Sequence, residues 1–276
     1  DQLAKEGTRF TSFYSQTVCG PSRSALLTGR QPLRSKGWGM PASEITWAEL
    51  IRKVGYQTAC IGKWDVSNRK AIIERMPNAQ GFDYYFGALG ANDNGMVRFH
   101  ENNQAAGSTK DMGELTTLYT DKSIAWLKEK RDPEKPFALY LAHTMMHTII
   151  DASDRFRGKS EGGLYGDVVE EFDFETGRLL DVLDELGLSK NTLVIYTSDN
   201  GPWNQDKYTK NKKGHPKDSI FWGDSGPLRN GKGSCYEGGY RLPCIVRWPG
   251  KVPAGQESGA IFTSVDFMST FANLCD

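Results

Sequence analysis

The chain has 276 residues, of which 38% are hydrophobic and 25% charged, and its 34 basic residues balance 34 acidic ones. That size and composition fit a globular fold with a large buried core, one domain or one domain plus part of another. Zero net charge excludes a global electrostatic footprint for nucleic acid or an anionic membrane, and no apolar run approaches the roughly eighteen residues a membrane span needs.

Apolar, β-branched and aromatic runs predict strands, and a 3.6-residue period predicts helices. The first strand covers 9–14. It leads into Cys19-Gly20-Pro21-Ser22-Arg23 and a helix over 22–28, with Pro21 suited to the helix start and Ser22 as a second candidate cap. A helix over 46–54, a strand over 56–61, a helix over 118–130 and a strand over 137–142 follow. The clearest helix covers 166–186, with Val169, Phe172, Leu179, Leu180, Leu183 and Leu186 near one face and Gly187 as its C-cap. Strands over 193–197 and 244–248 complete the pattern. Alternating strands and helices predict an α/β fold around a mostly parallel central sheet flanked by helices. Ligands of such folds gather beyond the carboxyl ends of strands. Lys63, His147 and Asp199-Asn200 each follow one. The stretch 203–224 lacks apolar periodicity and carries Lys207, Lys210, Lys212, Lys213 and Lys217 around His215. It reads as a solvated loop or as a basic lip that attracts an anionic substrate.

Five scattered cysteines, at 19, 60, 235, 244 and 275, form neither a disulfide framework nor a CxxC zinc pair. Cys19 stands apart because a helix start and Arg23 follow it directly. Together they make an anion site that would stabilise a thiolate. Taken singly, the other polar residues have plain readings: Asp199-Asn200-Gly201 as a turn, Lys63 and Lys232 as solvated lysines, His147 and His143 as structural histidines, His100 as surface.

The segment from Cys19 to Arg30 resembles the signature of the formylglycine-dependent (type I) sulfatases, arylsulfatase-like members of the alkaline phosphatase superfamily. The resemblance continues in order through Gly62-Lys63-Trp64, His143–His147, Tyr165-Gly166-Asp167, Ser198-Asp199-Asn200-Gly201, Gly231–Gly239, Arg241-Leu242-Pro243 and Trp248-Pro249-Gly250. It implies a sulfuric ester hydrolase in which a formylglycine-generating enzyme oxidises Cys19 to an aldehyde. A hydrated aldehyde offers two hydroxyls on one carbon: one attacks sulfur, and the other then expels sulfate. The resemblance further implies that Lys63 and Lys232 hold sulfate oxygens, that Arg23 supports the formylglycine and that His147 protonates the leaving oxygen. Calcium, ahead of magnesium, would be held by Asp199, Asn200 and the residue made from Cys19. The substrate it implies is a sulfated carbohydrate or aryl sulfate, met in the periplasm, the medium or the lysosome. Trp38, Trp203 and Trp222 are candidates for stacking on sugar faces.

Three departures qualify the match. Asp65 follows Trp64 where the family has histidine, so a carboxylate would have to accept the proton in the elimination step; on that reading Asp65→His keeps or raises turnover. No pair of adjacent aspartates precedes Cys19, although the family's first strand carries one for calcium. The chain ends where the family's catalytic domain continues. The expectation is therefore a catalytic domain truncated at both ends, lacking the first strand and the smaller C-terminal subdomain. Two rivals remain: a phosphodiester or phosphonate monoester hydrolase of the same superfamily, and a catalytically impaired relative that binds sulfated glycan without cleaving it.

Overall fold

The structure is a computed structural model that describes residues 1–203 and 223–275; the basic stretch with Lys207, Lys210, Lys212, Lys213, His215, Lys217 and Trp222 lies outside the described residues. The strands are β1 (Thr8–Tyr14), β2 (Gln57–Lys63), β3 (Tyr84–Ala88), β4 (Val97–Glu101), β5 (Gln104–Thr109), β6 (Phe137–Ala142), β7 (Val194–Thr197), β8 (Arg241–Arg247), β9 (Gln256–Ser258) and β10 (Phe262–Thr263). The helices are α1 (Gln2–Glu6), α2 (Cys19–Thr28), α3 (Pro32–Ser35), α4 (Trp47–Lys53), α5 (Leu115–Ala125), α6 (Gly163–Glu185), α7 (Glu237–Tyr240) and α8 (Asp266–Leu274).

The architecture is α/β, with the strands in two mixed five-stranded sheets. One runs β10-β1-β8-β7, with β9 also paired to β1; the other runs β5-β4-β3-β2-β6. In the second sheet β2 is parallel to β3 and β6, while β3, β4 and β5 are antiparallel neighbours. In the first, β8 is antiparallel to β1 and β7.

The β2 sheet is buried on both faces, which is why its central strands read as unbroken apolar runs. Ala59, Ile61, Tyr84, Phe86 and Ala88 turn to the side covered by α5 and α6. Cys60 and Tyr85 turn to the other side, among Trp47 and Ile51 of α4 and beside Phe271 of α8. Near the end of β2, Gly62 has φ +106°, and a Cβ there would lie 2.0 Å from the Ala142 carbonyl oxygen of β6. Glycine is required here by strand-to-strand contact, and it delivers Lys63 to the end of the sheet.

Several elements depart from expectation. Helix α2 begins at Cys19 with Val18 as N-cap, three residues before the expected start. Ser22 is no cap: its Oγ accepts from the Gln16 amide and lies within hydrogen-bond distance of the Gln16 and Val18 carbonyl oxygens. Thr46 does cap α4, through a capping box with Glu49. The 118–130 helix begins earlier, at Leu115, and ends in a wider turn over Trp126–Lys130. On α6 it is Val168 that faces the core, while Val169 is 39% exposed. Gly187 follows α6 with φ +69°, as a C-terminal glycine should. His100 sits half-buried in β4, not on the surface, and burial lowers its pKa.

Candidate active site

The ends of β2, β6 and β7 and the start of α2 converge on a cavity of about 850 Å³. Its lining includes Cys19, Arg23, Lys63, His147, Asp199 and Lys232. Asn200 lines it too. Residues separated by more than two hundred positions thus meet in one place. Among the described residues β6 pairs only with β2 and β7 only with β8, so each leaves an open edge beside this cavity.

Cys19 occupies the first turn of α2 and is buried. Its Sγ donates to Asn200 Oδ1 at 3.2 Å and accepts from Lys232 Nζ at 3.2 Å. Lys232 is brought there by its loop: its amide donates to Pro202 O and the next amide, of Gly233, donates to Thr17 O, both at 2.8 Å. Arg23, one turn further along α2, points back under Cys19. Its Nε and Nη2 donate to Asp199 Oδ2 at 3.0 and 2.9 Å, and its Nη1 donates to the Lys63 carbonyl. One guanidinium therefore ties α2 to the ends of both β7 and β2.

Burial alone would raise the Asp199 carboxyl, but the charges of Arg23, Lys63 and Lys232 outweigh it and hold its pKa near about 2. It is ionised at neutral pH. Asp199 and Asn200 supply hard oxygen donors beside Cys19, which is the donor chemistry of calcium. Two residues cannot fill the six to eight positions calcium takes, and no group of three acidic, histidine or cysteine side chains that could hold a metal occurs among the described residues. These residues fit one side of a calcium site.

His147 follows β6. Its Nδ1–H donates to the Thr148 carbonyl at 2.7 Å, which leaves Nε2 as the nitrogen available to a ligand. Burial lowers its pKa, and Lys232 and Lys63 add to the effect against Asp93, to about 4. A bound anion between the two lysines would oppose their contribution and lift that value. His143 is structural, as expected: it packs edge-on against Phe172 at 4.9 Å, and burial lowers its pKa to about 4.

Asp65 is placed differently from the other site residues. It is fully buried, has φ +68° and does not line the cavity. Its carboxylate accepts from Trp38 Nε1 at 3.0 Å and Arg69 Nε at 2.7 Å, and Lys63 Nζ lies 3.4 Å away. Trp38 is thus held against Asp65, while Trp203 stands beside the cavity with its ring 6.3 Å from His147 and 5.4 Å from Lys232 Nζ. Arg69 and Asp93, which pair at 3.1 Å, escaped sequence reasoning. The i, i+4 spacing of Arg69 from Asp65 was the one available signal. In the Tyr-Gly-Asp motif Tyr165 lines the cavity, while Asp167 holds a turn by accepting from the amides of Gly158, Lys159 and Ser160. Glu237 and Arg241 form an ion pair at 3.1 Å.

The sulfatase family model matches residues 1–276. The chain belongs to the sulfatase family. It is 35% identical to N-acetylgalactosamine-6-sulfatase of Mus musculus, over 99% of this chain and 56% of that protein. It is 32% identical to an arylsulfatase of Hemicentrotus pulcherrimus, over 99% of this chain and 53% of that one. The crystal structure of PsFucS1 sulfatase from Pseudoalteromonas sp. superposes with a TM-score of 0.83 at 28% identity, covering all of this chain and 61% of that structure. The chain therefore spans a little over half the length of the curated relatives it matches.

Proposed function

We propose that this chain carries the centre of a sulfatase that hydrolyses sulfate monoesters, with Cys19 as the precursor of formylglycine. The observation that carries the reading is the convergence on Cys19 of Lys232, Asn200 and the Arg23–Asp199 pair, from three separate parts of the sequence. Formylglycine, once formed, would supply a geminal-diol nucleophile, and calcium, once bound, would supply charge neutralisation at the sulfate. The chain's own residues do the rest. Lys63 and Lys232 hold sulfate oxygens by charge-assisted hydrogen bonds. Arg23 keeps Asp199 and the first turn of α2 in register. His147, its tautomer fixed by the Thr148 carbonyl, presents Nε2 to the leaving oxygen and carries the proton there once the bound anion has raised its pKa. Asp199 and Asn200, together with position 19, would hold calcium on this side of the site.

Further calcium oxygens are needed, and the open edges of β6 and β7 beside the cavity support a further strand as their source. For substrate we propose a sulfated carbohydrate, because the three similar proteins above are all sulfatases and one of them is named for a sulfated amino sugar. Trp203 at the cavity offers a stacking surface for a sugar ring. Maturation requires a formylglycine-generating enzyme, and we place the working site outside the cytoplasm, in periplasm, medium or lysosome. Among the described residues no helix is long and apolar enough to cross a membrane.

The test compares turnover of an aryl sulfate and an aryl phosphonate monoester by protein carrying formylglycine at position 19. Faster sulfate hydrolysis, abolished by Cys19→Ala, is expected. Faster phosphonate hydrolysis would move the protein to the phosphonate hydrolase branch. Sulfated-glycan binding without hydrolysis, unchanged in Cys19→Ala, would make it a binding protein.

A further inference from the structure

We infer that Asp65 is a positioning residue that seats Lys63 for sulfate, not the proton acceptor of the reaction, and that Arg69 and Trp38 are built around it for that purpose. The inference rests on reading Lys63 as a ligand of the sulfate oxygens.

Three observations carry it. First, the Asp65 oxygens are already occupied. Oδ1 accepts from Arg69, and Oδ2 accepts from Trp38 with Lys63 Nζ at 3.4 Å. A carboxylate so engaged has little lone-pair capacity left for a substrate proton, and its side chain lies outside the cavity lining.

Second, Lys63 needs it. The Lys63 side chain is 1% exposed and Asp65 is 0% exposed. A buried ammonium without a counter-ion is strongly unfavourable, and losing one member of such a pair strands the other. Asp65 is the one carboxylate in ion-pair contact with Lys63 among the described residues. Arg69 completes the seat, with its stem against Gly90 and its far end on Asp93.

Third, the formylglycine signature itself is shaped to this arrangement. The indole of Trp38 lies over Gly20, where a Cβ would come within 2.3 Å of Trp38 Cδ1. The position between Cys19 and Pro21 is therefore confined to glycine here by the same side chain that binds Asp65. Residues 20, 38, 65 and 69 form one unit.

This reading reverses the outcome expected of Asp65→His from sequence alone. An imidazole cannot accept from Arg69 and Trp38 together, and it removes the negative charge between Lys63 and Arg69. Histidine at 65 should therefore impair the site.

The test measures the dissociation constant of inorganic sulfate by calorimetry, in calcium-containing buffer, for the chain with its cysteine unmodified. Asp65→Asn and Asp65→His should each weaken sulfate binding by about tenfold or more, the scale of one hydrogen bond to a charged group. In a Lys63→Met background the further loss from Asp65→Asn should vanish, because both substitutions act through the same ammonium. Arg69→Met, at a 41% exposed position that tolerates change, should weaken binding in the same direction, with Arg69→Lys recovering part of it. Once position 19 is converted, the loss in Asp65→Asn should fall on KM more than on kcat. Unchanged sulfate affinity in Asp65→Asn and Arg69→Met, with kcat lost and then restored by Asp65→His, would make Asp65 the proton acceptor and overturn the inference alone. Failure of the unsubstituted chain to bind sulfate would overturn the functional reading, and this inference with it.

Discussion

Removing the Arg23 guanidinium should unfasten the site from the fold. Arg23 is 7% exposed, and it holds Asp199 through Nε and Nη2 at 3.0 and 2.9 Å and the Lys63 carbonyl through Nη1. Arg23→Met keeps most of the side-chain volume but leaves a part-buried carboxylate without its closest partner. Breaking a buried pair on one side costs about 3–5 kcal/mol. Lys63 and Lys232 still face Asp199, which points to the lower end of that range, and the stranded Lys63 carbonyl adds about 1 kcal/mol. The expected loss is about 4 kcal/mol. Urea unfolding in calcium-free buffer reads it as a lower midpoint at unchanged slope. Arg23→Lys should lose less, and Arg23→Met/Asp199→Asn should be more stable than the two single losses summed, by about 2 kcal/mol. A single-variant loss below about 1 kcal/mol, or strict additivity in the double variant, would refute the view that this pair fastens α2 to β7.

Acid should weaken the fold through two histidines. His143 and His147 have pKa values lowered to about 4, so between about 6.5 and 4 the unfolded chain binds protons that the folded chain does not. Stability is then full above about pH 6.5 and falls as pH drops toward 4, by up to about 3 kcal/mol per histidine. His143→Phe should flatten part of that slope in unfolding curves taken across the range, and an unaltered slope would contradict the assignment. Gly62→Ala should cost on the order of 3 kcal/mol or more, since it adds a side chain at φ +106° against the Ala142 carbonyl; a soluble variant with near-normal Tm would contradict it. Calcium should bind this chain weakly, with a dissociation constant of about 10⁻³ M or higher, and the small rise in Tm it produces should be absent in Asp199→Asn. A micromolar constant would mean that these residues already complete the site.

The sequence carried the site further than the fold. Strands β1, β2, β6, β7 and β8 were legible because each is a run of apolar, β-branched or aromatic residues next to turn-forming residues. Strands β4 and β5 were not: Gln104–Thr109 holds two alanines, a glycine and no large apolar residue, and it pairs through a hairpin turned at Asn102. Strand β3 hid inside Tyr84–Ala88, whose burial on both faces erases any alternation. The residues around Cys19 have plain readings one by one, and were legible because their short motifs follow the order of the sulfatase family's. What stayed hidden was the wiring between motifs. Nothing local connects Trp38 or Arg69 to Lys63, and the carboxylate at 65 read as the proton acceptor of the elimination step until its three cationic and N–H partners were seen.

The most direct test of Cys19 as the nucleophile precursor is mass spectrometry of the peptide bearing it, after co-expression with a formylglycine-generating enzyme. The expected result is conversion of the Cys19 thiol to the aldehyde, beside a control sulfatase converted in the same cells. An unmodified Cys19 thiol, with the control converted, would contradict the formylglycine mechanism for this chain.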